Sequence, residues 1–184
     1  ITLEDVNMAE AFGYVIKLIG RVMHIIKEEG AELEHKEFLG EIDDKDIVRH
    51  FAESMIKDIS EDGSVIVYNK TFEATRNKEI GQMYPDLKGD MERINANMLD
   101  LMIPFKNRNY YAKEMKGSHS LKFVLPALYP DDPELDYHNL PLIHDGGEAS
   151  QAFLNLKDKS KEDQEEIRGG LLRYCELDSL AMVK

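Results

Sequence analysis

The sequence predicts an α/β layer fold, a mixed sheet flanked by helices, on three observations. Ser64-Val65-Ile66-Val67-Tyr68 is a continuous β-branched and aromatic run behind an Asp62-Gly63 turn, the pattern of a strand buried on both faces inside a parallel or mixed sheet. Ahead of it, Ile47, Phe51, Met55 and Ile59 recur at helical spacing, which predicts a helix from about Asp44 to Ile59. Behind it, a second helical stretch runs from Phe72 toward Met83.

Taken in order, Val22 to Ile26 and Leu33 to Leu39 read as strands joined through Glu28-Glu29-Gly30. Met8, Phe12, Val15, Ile16, Ile19, Val22 and Met23 trace an equally good helical stripe from Thr2, and the boundary between the two readings stays open. The Asp44 helix leads through Asp62-Gly63 into the Ser64 strand, which Asn69 ends. The Phe72 helix stops before Pro85, because the residue ahead of a proline disfavours the helical region. Ser118 or Ser120 caps a short helix carrying Leu121, Val124 and Leu125 and ending near Pro130. Leu135 to Ile143 is predicted irregular and is followed by a helix near Glu148 to Leu156. The last helix starts at Ser160, where Ser160-x-x-Asp163 approximates a capping box.

With 184 residues and 42% hydrophobic content, the chain is expected to form one domain, residues 1–184, with a sizeable core. No repeat or low-complexity tract divides it, and no apolar run reaches the length of a membrane span. A single cysteine excludes an internal disulfide framework and fits a reducing cytoplasm. The six histidines lack zinc-ligand spacing, so His35, His119, His138 and His144 are expected as hydrogen-bonding surface or turn residues. Gly146-Gly147 and Gly169-Gly170 form no phosphate loop, since neither follows a strand or precedes Lys-Ser or Lys-Thr, and no serine nucleophile elbow is present.

Three carboxylates stand in apolar frames. On a helix, Leu171, Tyr174, Cys175, Asp178 and Met182 share one stripe, which turns Asp178 toward the interior with no Lys or Arg three or four positions away. Glu73 follows the end of the Ser64 strand, the place where α/β sheets bind their ligands. Asn69 and Thr71 there are also candidates to cap the helix that carries Glu73. Asp100 interrupts Met98-Leu99-Asp100-Leu101-Met102-Ile103, an apolar strand or buried turn. A buried carboxylate is costly unless paired, hydrogen-bonded or bound to a cation, and grouped carboxylates hold divalent ions against phosphates.

Asn69, Phe72 and Glu73, together with Tyr174 and Asp178, resemble the second and third motifs of the ribonuclease H-like 3′-5′ exonucleases called DEDD. Tyr174 four positions before Asp178 matches the tyrosine subtype, while the position that carries histidine in the other subtype is Arg173. A longer likeness runs from about Ile25 onward, through Glu34-His35-Lys36-Glu37-Phe38-Leu39, Val67-Tyr68-Asn69, Asp100-Leu101, Gly117-Ser118-His119-Ser120-Leu121-Lys122, Val124-Leu125-Pro126-Ala127-Leu128 and Tyr174-Cys175. On those segments the chain resembles the bacterial family called domain of unknown function 2779, whose members commonly follow a RecB-like nuclease domain. The resemblance implies a ribonuclease H-like mixed sheet flanked by helices and a metal-dependent 3′-5′ exonuclease acting on single-stranded nucleic-acid ends. It also implies Mg2+ or Mn2+ held by Glu73 and Asp178, with Asp100 as a further ligand or a structural acid. Tyr174 would orient the attacking water.

One motif is missing. The superfamily's leading strand carries Asp-x-Glu, and no such triplet stands in an apolar setting before Ile25; Glu4-Asp5 has the wrong order and spacing. Ile1 in place of Met, and an end at Met182-Val183-Lys184 in mid-helix, predict a fragment with the missing acids upstream. The alternative is a catalytically degenerate module that binds nucleic acid or protein.

The net charge of −13 argues against strong non-specific binding to phosphates, yet the charge is uneven. Lys106, Arg108, Lys113, Lys116 and Lys122 stand against Glu114 alone, interleaved with Tyr110, Tyr111 and His119. That pattern suits a single strand whose bases stack on aromatics, with Asn69, Lys116, Ser118, His119 and Lys122 as contact residues. A solvated loop anchored to the core by its aromatics is the other reading.

Overall fold

The computed structural model describes residues 20–27 and 31–184. The helical stripe from Thr2 to Ile19, the Glu4-Asp5 pair and the Glu28-Glu29-Gly30 joint lie outside the described residues. The architecture is α/β. In chain order the described elements are β1 (Gly20–Ile25), β2 (Glu34–Leu39), α1 (Ile47–Asp58), β3 (Val65–Val67), α2 (Lys70–Met83), α3 (Lys88–Ala96), β4 (Met98–Asp100), α4 (Ile103–Lys106), α5 (Leu121–Leu128), α6 (Gly146–Leu154) and α7 (Lys161–Leu180). Short 3-10 turns stand at Pro85–Leu87, Lys113–Met115, Pro133–Leu135, Tyr137–Asn139 and Leu156–Asp158. Among the described residues the strands form two sheets of two strands each. Two compact units divide the chain: Ile1–Ser54 with Leu140–Ser179, and Met55–Asn139 with Leu180–Lys184.

In the first unit, β1 and β2 pair antiparallel, from Gly20 opposite Leu39 to Ile25 opposite Glu34. Val22 and Met23, which fitted a helix and a strand equally well, are strand residues. Exposure alternates over the first part of β2, with His35 and Glu37 more open than Glu34 and Lys36. Phe38 meets Phe51 of α1 edge-on, with ring centroids 6.0 Å apart. The core adds Ala149 and Phe153 of α6, Leu156, and Leu171, Tyr174 and Leu177 of α7, all buried. Arg168 of α7 donates to the carbonyls of Leu39 at 3.1 Å and Gly40 at 3.0 Å and to Glu41 Oε1 at 2.8 Å, satisfying acceptors where β2 ends.

Helix starts follow their local chemistry. Asp145 Oδ1 accepts from the N–H groups of Gly147 and Glu148 at 2.8 and 3.0 Å, so α6 opens two residues before Glu148. Ser160 Oγ accepts the Asp163 N–H at 3.2 Å at the predicted start of α7. The far end differs from expectation. The helix finishes at Leu180 and a turn follows, with the Val183 N–H donating to the Leu180 carbonyl at 3.0 Å, so Met182-Val183-Lys184 is not helical.

In the second unit, β3 and β4 pair in parallel: Val65 with Met98, Ile66 with Leu99, Val67 with Asp100. The Ser64 run is not buried on both faces. Val67 is buried, whereas Ile66 is 41% and its partner Leu99 54% exposed. Side chains alternate across a strand, so Ile66 and Leu99 share the face opposite Val67. A β-branched run specifies a strand, but how many layers cover that strand is a tertiary matter.

Helices α2 and α3 pack against each other through polar and small residues. The buried Asn77 donates to Asn95 Oδ1 at 2.8 Å, and Asn95 donates to the Ala74 carbonyl at 3.2 Å. A Cβ on Gly81 would stand 3.3 Å from Lys88 Cα, so a side chain there would press the two segments apart by a few tenths of an ångström. Helix α3 was not expected from the pattern, because its buried apolar residues are Met91 and Ile94 alone. In α5, Ser120 holds the N-cap position through its carbonyl, which accepts from Phe123 and Val124, while its side chain makes no cap bond.

Candidate functional site

The polypeptide leaves β3 through Tyr68 and turns sharply at Asn69, whose backbone is left-handed at φ 76° and ψ 68°. Asparagine is among the few non-glycine residues that tolerate this conformation. Helix α2 begins at the next residue and carries Glu73 in its first turn, half-buried, with its N–H directed at the Asn69 carbonyl at 3.4 Å. A carboxylate at that position is favoured by the helix dipole.

The cap of α2 comes from an unexpected place. Asn69 makes no side-chain cap bond. Asp100, the last residue of β4, accepts instead from the N–H of Asn69 at 3.0 Å and of Lys70 at 2.9 Å, and its Oδ1 also takes the Met102 N–H at 2.9 Å. Burial would raise the Asp100 carboxyl, but these three backbone donors, with the charge of Lys106, outweigh it and hold the group below its ordinary range. Lys70 Nζ adds a bond to the Met98 carbonyl at 2.9 Å. The acid is thus the staple that fastens the end of one parallel strand to the turn after its neighbour.

Tyr68 extends this corner toward the basic stretch. Its hydroxyl donates to the His119 carbonyl at 2.6 Å, and burial, together with the charge of Asp100, pushes its phenol up to about 12. Phe105 lies 6.5 Å from the Tyr68 ring, and Tyr110 meets Phe105 edge-on at 6.0 Å. Tyr110 and Tyr111 are 48% and 52% exposed, so neither anchors its loop to the core; the fully buried Met115 does. Among the predicted contact residues, Lys116 takes a left-handed backbone and Ser118 Oγ accepts the Ser120 N–H at 3.1 Å. Lys122 Nζ sits 5.9 Å above the Tyr137 ring.

Tyr174 and Asp178 belong to the first unit, and Asn69, Glu73 and Asp100 to the second. Tyr174 is buried, and a Cβ on Gly146 would stand 3.8 Å from its hydroxyl, placing the phenol at the start of α6. Asp178 does not face the interior as the stripe predicted. The buried line of α7 runs Leu171, Tyr174, Leu177, and Asp178 is half-buried beside it. Arg173 pairs with Glu176 at 2.7 Å.

The histidines divide. His50, His138 and His144 pair with the nearby carboxylates of Asp44, Asp136 and Glu148 on the surface, as turn and surface residues do. His24 and His35, in contrast, come together with Glu176, donor atoms within 4.8 Å of one another. Spacing along the chain missed this group, because it is assembled by strand pairing and by a helix more than a hundred residues away.

Among the described residues, no helix is long and apolar enough to cross a membrane. No solved structure matches the chain. Uncharacterized protein UU173 of Ureaplasma parvum serovar 3 is 31% identical over 111 residues, a match that covers 56% of this chain and 16% of the relative's length. Residues 21–120 match the family model described as Domain of unknown function (DUF2779), a stretch that includes Asn69, Glu73, Asp100, Lys116, Ser118 and His119 and stops short of Tyr174 and Asp178. With more than half of its length inside that match, the chain belongs to the family Domain of unknown function (DUF2779).

Proposed function

We propose that the chain is the exonuclease-like part of a longer protein that hydrolyses phosphodiester bonds at single-stranded nucleic-acid ends in the 3′-5′ direction, using Mg2+ or Mn2+. The observation that carries this reading is the acidic corner. Asp100 ends β4, and Glu73 stands in the first turn of the helix that follows the parallel neighbour β3, the end of a sheet where α/β folds bind their ligands. On this reading the leading Asp-x-Glu strand and a RecB-like companion belong to the longer protein.

The donor chemistry fits the ions. Glu73 and Asp178 are half-buried carboxylates, and hard oxygen donors suit Mg2+ and Mn2+. When bound, the ions supply Lewis acidity toward the scissile phosphate and acidify a water. The other roles belong to the chain itself. Asp100 fixes the backbone that presents Glu73. Tyr174 holds the attacking water by hydrogen bonding, a phenol being a poor base at neutral pH. The Lys106–Lys122 stretch attracts the backbone phosphates, and Tyr110 and Tyr111 offer open rings to unstacked bases.

A nuclease assay on the longer protein tests the reading, with Mn2+, a 5′-labelled single-stranded oligonucleotide, and the variants Glu73→Gln and Asp178→Asn. Each variant is expected to lose on the order of 100-fold in rate while still binding the oligonucleotide. Equal rates in wild type and variants would discredit the catalytic assignment. Binding without any cleavage by the wild type would favour the non-catalytic module.

A further inference from the structure

The geometry points to a second metal site, for a Zn2+-class ion, formed by His24, His35 and Glu176 in the first unit. His24 and His35 are directly opposite each other in the β1-β2 register, their rings edge to face at 5.3 Å and 80°. Glu176 of α7 completes the group, with one donor atom from each residue within 4.8 Å of the others. A tetrahedral Zn2+ needs donors roughly 3.3 Å apart. Rotation of the exposed His35 ring can supply the contraction.

The hydrogen bonds around the group determine which atoms remain available. The Ser179 hydroxyl donates to the Glu176 carbonyl at 3.1 Å, so toward His24 Nδ1, 2.9 Å away, Ser179 Oγ is the acceptor. With His24 Nδ1 paired to Ser179 in this way, Nε2 is the nitrogen that would take an ion. Glu37, a carboxylate 3.2 Å from His35 Nε2, likewise places the His35 proton there and leaves Nδ1 bare. Each imidazole thus has one nitrogen paired with a neighbouring oxygen, and such a partner on the nitrogen not bound to metal is what orients histidines at metal centres. Arg173 occupies Glu176 Oε2 at 2.7 Å, which leaves Oε1 for the ion.

Two imidazoles and one carboxylate suit Zn2+ better than Mg2+, and three protein donors leave a fourth position for water or a ligand. The site is separate in residues and in metal preference from the acids of the proposed nuclease centre.

Titration of the full chain with Zn2+, followed by calorimetry and by Co2+ absorption as a spectroscopic probe, tests the assignment. Wild type should bind one equivalent at this group, unaffected by millimolar Mg2+. His24→Ala and Glu176→Gln should weaken binding at least 100-fold, and Ser179→Ala on the order of tenfold. His144→Ala, which removes a surface histidine paired with Glu148, should bind like wild type. Far-UV circular dichroism of the metal-free variants checks that they fold, and Glu176→Gln preserves the side-chain shape should His24→Ala fail to do so. No Zn2+ binding by wild type, or equal binding by folded His24→Ala or Glu176→Gln, overturns the site.

Discussion

The N–H of Asn69 donates to Asp100 Oδ1 at 3.0 Å, so the residue that ends β4 holds the left-handed turn that follows β3. The two lie thirty-one positions apart in the chain. Because β3 and β4 are parallel, their carboxyl ends coincide, and one carboxylate can serve both.

Removing that carboxylate should cost stability. Asp100→Ala leaves the Asn69, Lys70 and Met102 N–H groups without their acceptor and is expected to destabilise the protein by roughly 2–3 kcal/mol. The group is only half-buried, so water replaces part of the loss. Urea denaturation of wild type and variant measures the difference. A shift below about 0.5 kcal/mol would mean the staple carries little.

The same group predicts an acid dependence. Its folded-state pKa is depressed, so its contribution is fully present above the unfolded carboxylate value of about 3.9 and is lost as pH falls through the lower folded value. The stability gap between wild type and Asp100→Asn should therefore be constant near neutrality and shrink below about pH 4. Paired urea titrations across that range report it, and a gap that grows on acidification would contradict the assignment.

At Asn69 the backbone conformation sets the tolerance. Asn69→Gly should be neutral within about 0.5 kcal/mol, since glycine accepts the left-handed region freely, whereas Asn69→Val should cost roughly 1–2 kcal/mol. Thermal melts of the two variants should order them accordingly.

The exposed rings predict a binding effect without a folding effect. Tyr110→Ala with Tyr111→Ala should weaken single-stranded oligonucleotide binding about tenfold or more, since base stacking contributes roughly 1–3 kcal/mol per base. Fluorescence polarisation at low and moderate salt measures it. Unchanged affinity would remove this stretch from the proposed nucleic-acid surface.

His50 offers an independent check on the first unit. Hydrogen bonding to Asp44 and the Asp44 charge raise its pKa, so the pairing is complete below about 6.5 and is lost as pH rises through the higher folded value. An NMR titration of the imidazole should show the elevation in wild type and its disappearance in Asp44→Asn.

Much of the helical layout was legible because its signals are local. The apolar spacing around Ile47, Phe51 and Met55, the Ser160 cap of α7 and the stop of α2 ahead of Pro85 each rest on neighbours within a turn or two. Helix α3 was not legible, since its contacts with α2 run through Asn77, Asn95 and Gly81, which leave no periodic apolar signature. The hairpin sits between these cases. Its pairing sets residues equally far from the centre of the connecting segment opposite each other, so a register drawn through that segment would have brought His24 to His35 before any coordinates.

The sequence by itself determined the family, the α/β class, most helix boundaries and the residues that stand as acids in apolar frames, because composition, periodicity and caps act between neighbours in the chain. Only the tertiary structure decided that Asp100 caps a helix thirty residues before it, that Ile66 meets solvent on one face of its strand, that Asp178 lies beside the buried line of α7 rather than on it, and that Glu176 joins two histidines. Each of these depends on which distant segment packs where. A carboxylate or an imidazole has the same short-range pattern whether its partner is water, a backbone N–H or a metal ion.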